Sequence, residues 1–182
     1  MFGFNLNRLD DTELARLVAR GNEKAFAEVV TRHQDAVYGF SLRMLNHPQE
    51  AEDAAQEVFL RFFKTAERFR QQSSLRTYLL RIARNICIDT FRKKRPELLD
   101  EIPETPDLDT PLTLLEGALT QKSIEDAVEK LPVNQRTAIL LRHVEQMPYH
   151  QIATAMDISR GAVESLLFRA RRDLKLTLSK NR

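Results

Sequence analysis

Cysteine, glycine and proline are scarce in this chain, and no long apolar run interrupts its 182 residues. A single cysteine, Cys87, excludes an intrachain disulfide. It sits inside an apolar helical run and is expected as a small core residue in a reducing compartment. Only five Gly and seven Pro are present, and no stretch alternates apolar with polar residues, so strands are disfavoured and helices are the default. No apolar stretch approaches the roughly 20 residues of a membrane span. The segment from Met1 to Leu9 lacks the make-up of a signal peptide. No membrane insertion and a cytoplasmic location are expected. The histidines His33, His47, His143 and His150 lack metal-ligand spacing, and no glycine-rich phosphate loop or carboxylate pair stands out. Asp53 and Glu57 share a helix face without a third ligand. No cofactor, no metal, no small-molecule substrate and no enzymatic activity are expected.

What is present is charge, unevenly spread. The net charge is only +2. Yet from Arg68 to Arg95 nine basic residues stand against one acid, Asp89. From Glu97 to Glu116 there are seven acids and no base, and from Arg160 to Arg182 seven bases face Glu164 and Asp173. Two basic segments held apart by an acidic one fit two contacts with a polyanion, or else solvated helix faces.

Helix punctuation divides the chain. Asp10 or Asp11 caps a first helix carrying Leu14, Leu17 and Val18, and Gly21 stops it. Asn22 caps a longer one with Phe26, Val29, Val30, Val37 and Phe40 on one side. Pro48 suits the first turn of a third, which spaces Ala51, Ala54, Ala55, Val58, Phe59, Phe62 and Phe63 as an apolar stripe. After a loop from Phe69, Ser73 or Ser74 caps a helix running to about Lys94, with Leu75, Leu79, Ile82 and Ile86 buried. Pro96, Pro103, Pro106 and Pro111 then accompany the acids; proline removes helix donors and like charges repel, so residues 96–116 are expected as a flexible acidic linker. Helices return at about 114–130, 132–144, 148–156 and 159–180. The expected fold is all-α: two small helical domains, 8–95 and 117–182, joined by that linker.

Within the second domain, Pro148-Tyr-His-Gln-Ile-Ala-Thr-Ala-Met156 followed by Asp157-Ile-Ser-Arg-Gly-Ala-Val163 has the form of a helix-turn-helix. Ala153 is small where the helices cross, Ile158 fills the angle between them, and Ser159 can cap the second helix. There Val163, Leu167, Ala170 and Leu174 form one stripe with Leu166 beside it. The opposite side carries Gly161, Ser165, Phe168, Arg169 and Arg172, the layout of a helix that enters a major groove. Phe168 is placed to touch a thymine methyl or sugar, or to pack on Pro132 or Leu131.

Both halves resemble the extracytoplasmic-function sigma factors, initiation subunits of bacterial RNA polymerase. The resemblance rests on Gly21-Asn-Glu-Lys-Ala-Phe26, Ala51-Glu-Asp-Ala-Ala-Gln-Glu-Val-Phe59, Leu79-Leu-Arg-Ile-Ala-Arg-Asn85 with Asp89 and Arg92, Leu131-Pro-Val-Asn-Gln-Arg136, Tyr149-His-Gln-Ile-Ala153 and Val163-Glu-Ser-Leu-Leu-Phe-Arg-Ala-Arg171. Their order and spacing span nearly the whole chain.

The resemblance implies roles and partners. Asp53, Gln56, Glu57 and Arg61 would dock on core RNA polymerase. Arg76, Tyr78, Arg81, Arg84, Asn85 and Arg92 would bind and open the promoter's −10 element, where strand separation needs a base pocket and cations for phosphates. Tyr78 stands where the family commonly has Trp. Arg160, Gly161, Glu164, Ser165, Phe168, Arg169 and Arg172 would read promoter DNA at −35; Glu164 and Leu166 stand where basic residues are common, and Glu164 can accept from cytosine N4. The acidic linker would thread toward the RNA exit path or stay solvated. An anti-sigma factor is the implied inhibitor. An autonomous helix-turn-helix regulator would explain residues 148–180 equally well and leave the pattern of 51–95 without use.

Overall fold

The computed structural model describes residues 6–70, 73–103 and 120–180 of the chain. All regular elements among them are helical. The chain forms two compact units that divide between Cys87 and Ile88.

In the first unit, α1 (Asp11–Ala19) starts at Asp10, whose side chain accepts from the Glu13 N–H while the Glu13 carboxylate takes the Asp10 N–H. This reciprocal box satisfies two donors that a helix start leaves open. Gly21, at φ +79°, ends it in the left-handed region where a Cβ would be strained. Asn22 then caps α2 (Glu23–Leu45) by accepting from Ala25 N–H at 2.9 Å. Asn46 closes α2 with a left-handed turn, and Pro48 opens α3 (Pro48–Thr65) at its first position. The last element is α4 (Leu75–Lys94), with Ser74 accepting from Thr77 N–H at 3.1 Å.

The caps decide where these helices start; apolar burial decides that they stay. Helix α2 packs against α1 and α3. Leu14, Val29, Phe40, Met44, Val58 and Phe62 are shut off from solvent. A side chain such as Phe62 contributes about 2–3 kcal/mol by leaving water. Phe63, expected in the same stripe, is 40% exposed and instead meets Phe26 edge-on at 4.9 Å. Cys87 lies fully inside beside Ser41, and burial pushes its thiol pKa up to about 12, so the expected core thiol is inert.

The second unit contains α5 (Gln121–Glu129), α6 (Val133–Ile139) continued by a π-helical turn (Leu140–Val144), α7 (Tyr149–Met156) and α8 (Arg160–Lys180). Helix α8 packs on α5, α6 and α7. Asp157 ends α7 in the left-handed region at φ 58°, and Ser159 caps α8 by accepting from Ala162 N–H at 3.1 Å. Arg142 braces the approach to α7: it donates to Met147 O at 3.1 Å and lies over the Tyr149 ring at 5.3 Å. Residues 114–119, expected as the first turns of α5, and 104–116 of the expected linker lie outside the described residues.

Leu174, placed in the buried stripe of α8, is only half-buried, while Leu178, one turn further on, is buried. Residues 96–103, expected as extended and solvated, form a 3-10 turn (Pro96–Leu98), and Pro103 is buried. The Asp100 carboxylate accepts from Asn134 N–H at 2.7 Å, and Asn134 Nδ2 donates to Asp100 O at 2.8 Å. Phe91, near the end of α4, is buried under the Arg136 guanidinium at 5.5 Å. The last turns of α4 thus belong to the second compact unit, upstream of the domain boundary expected after Arg95.

Candidate nucleic-acid interface

Three surfaces hold the residues singled out in the sequence. On α3, Asp53, Gln56 and Arg61 are exposed and Glu57 is half-buried. The Arg61 Nε donates to Glu57 Oε1 at 2.7 Å, an i,i+4 pair that holds both side chains over one face. Gln49 donates to Asp53 at 3.5 Å. Beside this face runs a shallow groove of about 370 Å³ between α2 and α3, whose rim includes Gln34, Asp35, Glu52 and Gln56 over a floor with Val30 and Phe59. The groove residues of α2 escape a reading of α3 alone, since only packing sets the two helices side by side.

On α4, Arg76, Asn85 and Arg92 are exposed and Arg81 is half-buried. Arg92 pairs with Asp89 at 3.3 Å, so the acid among the bases orients an arginine. Arg84 departs from expectation. It is only 8% exposed, and its Nη1 donates to Asn85 Oδ1 at 3.2 Å. Burying a guanidinium needs internal partners, and a side chain held there does not face solvent as a phosphate ligand would. Tyr78 is half-buried in an edge-to-face cluster, 5.4 Å from the Phe69 ring and 6.3 Å from the Phe62 ring, with its hydroxyl 3.4 Å from Thr65 Oγ1.

On α8, Arg160 and Arg172 are exposed, while Gly161, Glu164, Phe168 and Arg169 are half-buried. Arg160 Nε donates to Glu164 Oε1 at 3.1 Å, and Arg172 pairs with Asp173 at 3.2 Å. Ser165 is a correction: it is 0% exposed. A helical wheel puts it opposite Val163 and Leu167, but the first half of α8 is enclosed by more than one neighbouring helix, so that side is covered as well. The solvent row is instead Arg160, Glu164, Phe168, Arg171, Arg172 and Lys175. Arg171 and Lys175 were not singled out; Arg171 at i,i+3 from Phe168 and Lys175 at i,i+4 from Arg171 are the signal for them.

Among the described residues no group of three or more His, Cys, Asp or Glu side chains is placed to hold a metal ion. None of the described helices is long and apolar enough to cross a membrane.

Two family models match this arrangement in order: Sigma-70 region 2 over residues 29–97 and Sigma-70, region 4 over residues 121–174. A helical bundle carrying the first, followed by a helix-turn-helix carrying the second, is the layout of the sigma-70 class. The RNA polymerase sigma-H factor of Pseudomonas aeruginosa is 32% identical, over 91% of this chain and 92% of that protein. The ECF RNA polymerase sigma factor SigW of Bacillus subtilis is also 32% identical, over 88% of this chain and 92% of its own. The ECF RNA polymerase sigma-E factor of Haemophilus influenzae is 33% identical, over 90% and 93%. This chain belongs to the extracytoplasmic-function sigma factors of RNA polymerase. Its fold is also that of CnrH, solved with the cytosolic domain of CnrY, at a TM-score of 0.72 and 24% identity over 94% of this chain and 99% of that one. The sigma factor RpoE of Bartonella quintana, solved with the anti-sigma factor NepR, gives 0.66 and 23% over 87% and 99%.

Proposed function

We propose that the functional division is 8–95, 96–116 and 117–182. The first part docks on core RNA polymerase and opens the −10 element, and the last reads the −35 element. The observation that carries this reading is the pairing of two unlike surfaces. The exposed side of α3 is polar and acidic, suited to a protein partner with basic side chains. The solvent row of α8 presents Arg160, Arg171, Arg172 and Lys175 from a helix whose apolar side is consumed by its own domain. On α4, Arg76, Arg81, Asn85 and Arg92 serve the separated strand. Tyr78 supports that surface through Phe69. Arg84 and Ser165 act from within by holding their helices.

The chain supplies recognition, and the phosphoryl chemistry stays with the polymerase. An anti-sigma factor is the proposed regulator, supported by the solved complexes of CnrH with CnrY and of the Bartonella RpoE with NepR. The proposed place of action is wherever the polymerase and its DNA are.

The test is transcription by purified core polymerase from a mixed promoter library, with and without this chain. Transcripts that start at a shared −35/−10 pair only when the chain is added are the expected result. A chain that fails to bind core polymerase, or binds duplex DNA tightly as a dimer alone, overturns the proposal.

A further inference from the structure

The start of α8 offers few polar groups to a base edge. Between Arg160 and Phe168, Ala162, Val163, Ser165, Leu166 and Leu167 are buried. What reaches solvent there is Arg160, Gly161, Glu164 and Phe168. In a helix-turn-helix the first turns of the second helix are the part that meets base edges. Of these four, Gly161 has no side chain and the Phe168 ring carries no hydrogen-bonding group. Arg160 and Glu164 are therefore the hydrogen-bonding side chains placed to read sequence. They are joined to each other, because Arg160 Nε donates to Glu164 Oε1 at 3.1 Å. Helix stability is a poor reason for that bond. An arginine at the first position of α8 opposes the helix dipole, and the stabilising order of an i,i+4 pair is acid first, base second. An acid facing a duplex of phosphates is also unfavourable unless a donor meets it.

We propose that Arg160 and Glu164 act as one unit that reads a single C·G base pair of the −35 element, Glu164 on the cytosine and Arg160 on its guanine partner. The bond between them uses Nε and Oε1, which leaves the two terminal nitrogens of Arg160 and the Oε2 of Glu164 for the base pair. A carboxylate can only accept, and cytosine shows the major groove its N4 amino group. Guanine offers O6 and N7, and thymine O4, all of which repel a carboxylate. Adenine has an amino group, but the N7 acceptor beside it faces the second carboxylate oxygen. The terminal N–H groups of a guanidinium match guanine O6 and N7. In a C·G pair the cytosine amino group and guanine O6 lie side by side. The Arg160–Glu164 pair sets an acceptor next to a donor in the complementary order. The inference rests on the reading of α8 as the −35 surface and names a base that this surface selects.

The experiment uses holoenzyme assembled from core polymerase and the full chain, on a promoter library randomised across the −35 element, with bound sequences counted. Wild type should favour cytosine at one position by about tenfold or more. Glu164→Gln is the decisive change, since a glutamine amide pairs with adenine N6 and N7. The preferred base at that position should move from cytosine to adenine. Arg160→Ala should relax preference at the same base pair and leave the other positions as they were. Neither side chain belongs to the core, so both variants should melt with wild type. Tighter binding of all sequences by Glu164→Gln, with base preference unchanged, would make Glu164 a charge that only repels phosphate, and the proposal falls. Effects of the two variants at different base pairs overturn the shared reading. If wild-type holoenzyme selects no −35 sequence, the reading of α8 fails first and takes the pair with it. A selected −35 element that neither variant alters rejects the pair alone.

Discussion

The His33 Nε2, on α2, lies 3.0 Å from the Oδ2 of Asp11 in the first turn of α1. Its neighbour Arg32 reaches the other Asp11 oxygen at 3.3 Å, the Leu9 and Leu6 carbonyls at 2.8 and 3.2 Å, and Glu28 at 2.7 Å. Two adjacent residues thus tie the start of the described chain to the long helix of the first unit.

That joint is sensitive to pH. Burial lowers the His33 pKa from 6.5, Asp11 pulls it back up, and the charges of Arg76 and Arg32 add to the lowering. A base whose pKa falls on folding binds fewer protons folded than unfolded. Its contribution is therefore whole above pH 6.5 and is lost as pH falls toward the folded value. Thermal unfolding followed from about pH 7 to about pH 5 should show a decline of at most about 1.4 kcal/mol per pH unit from this proton. His33→Gln should remove that share. Parallel declines in the variant and wild type would clear His33 of the effect.

Reversing charge at the α3 face should uncouple the chain from polymerase. Asp53→Arg with Glu57→Arg places two cations where an acidic surface is proposed to dock, and such reversal costs several kcal/mol of association. The loss of the Glu57–Arg61 pair should cost only a few tenths of a kcal/mol of fold stability. Binding to core polymerase and the melting curve are the two readouts. Wild-type binding by the double variant would reject the docking assignment.

The solvent row of α8 should behave as a phosphate and base contact, and its inner face should not. Arg171→Ala and Arg172→Ala should each lower the slope of log affinity against log salt by about one on −35 duplexes. Ser165→Ala should leave that slope alone, whereas Ser165→Arg should unfold the second unit, since no solvent route exists for the charge. Unchanged salt slopes for both arginine variants would move the DNA contact to another surface.

Tyr78 should matter as a ring and little as a phenol. Tyr78→Phe keeps the edge contacts to Phe62 and Phe69, while Tyr78→Ala loses both, about 0.5–1.5 kcal/mol per ring pair beyond the lost burial. Opening of a −10 duplex, followed by a fluorescent base, should be near normal in the first variant and impaired in the second. Equal impairment in both would point to the hydroxyl and its Thr65 contact.

Local chemistry made much of this legible. Asp10, Asn22, Pro48, Ser74 and Ser159 act within one helical turn, so their roles follow from neighbours in the chain. The outward residues of α3 were readable because one side of that helix is buried and the other is free. The wheel misled where a helix is enclosed on two sides, as at Ser165, and where a long polar side chain turns inward, as at Arg84.

The helical class and the helix starts come from periodicity and short-range hydrogen bonding, which the order of residues settles directly, and the sigma-70 blocks are legible as a resemblance in short stretches of sequence. Only the tertiary structure could decide that Asp100 caps α6, that Asp11 binds both Arg32 and His33, and that Phe91 lies under Arg136. Those partners are separated by 21 or more residues. No residue pattern at that distance selects one carboxylate over another; the packing of helices brings the two chemistries within bonding range.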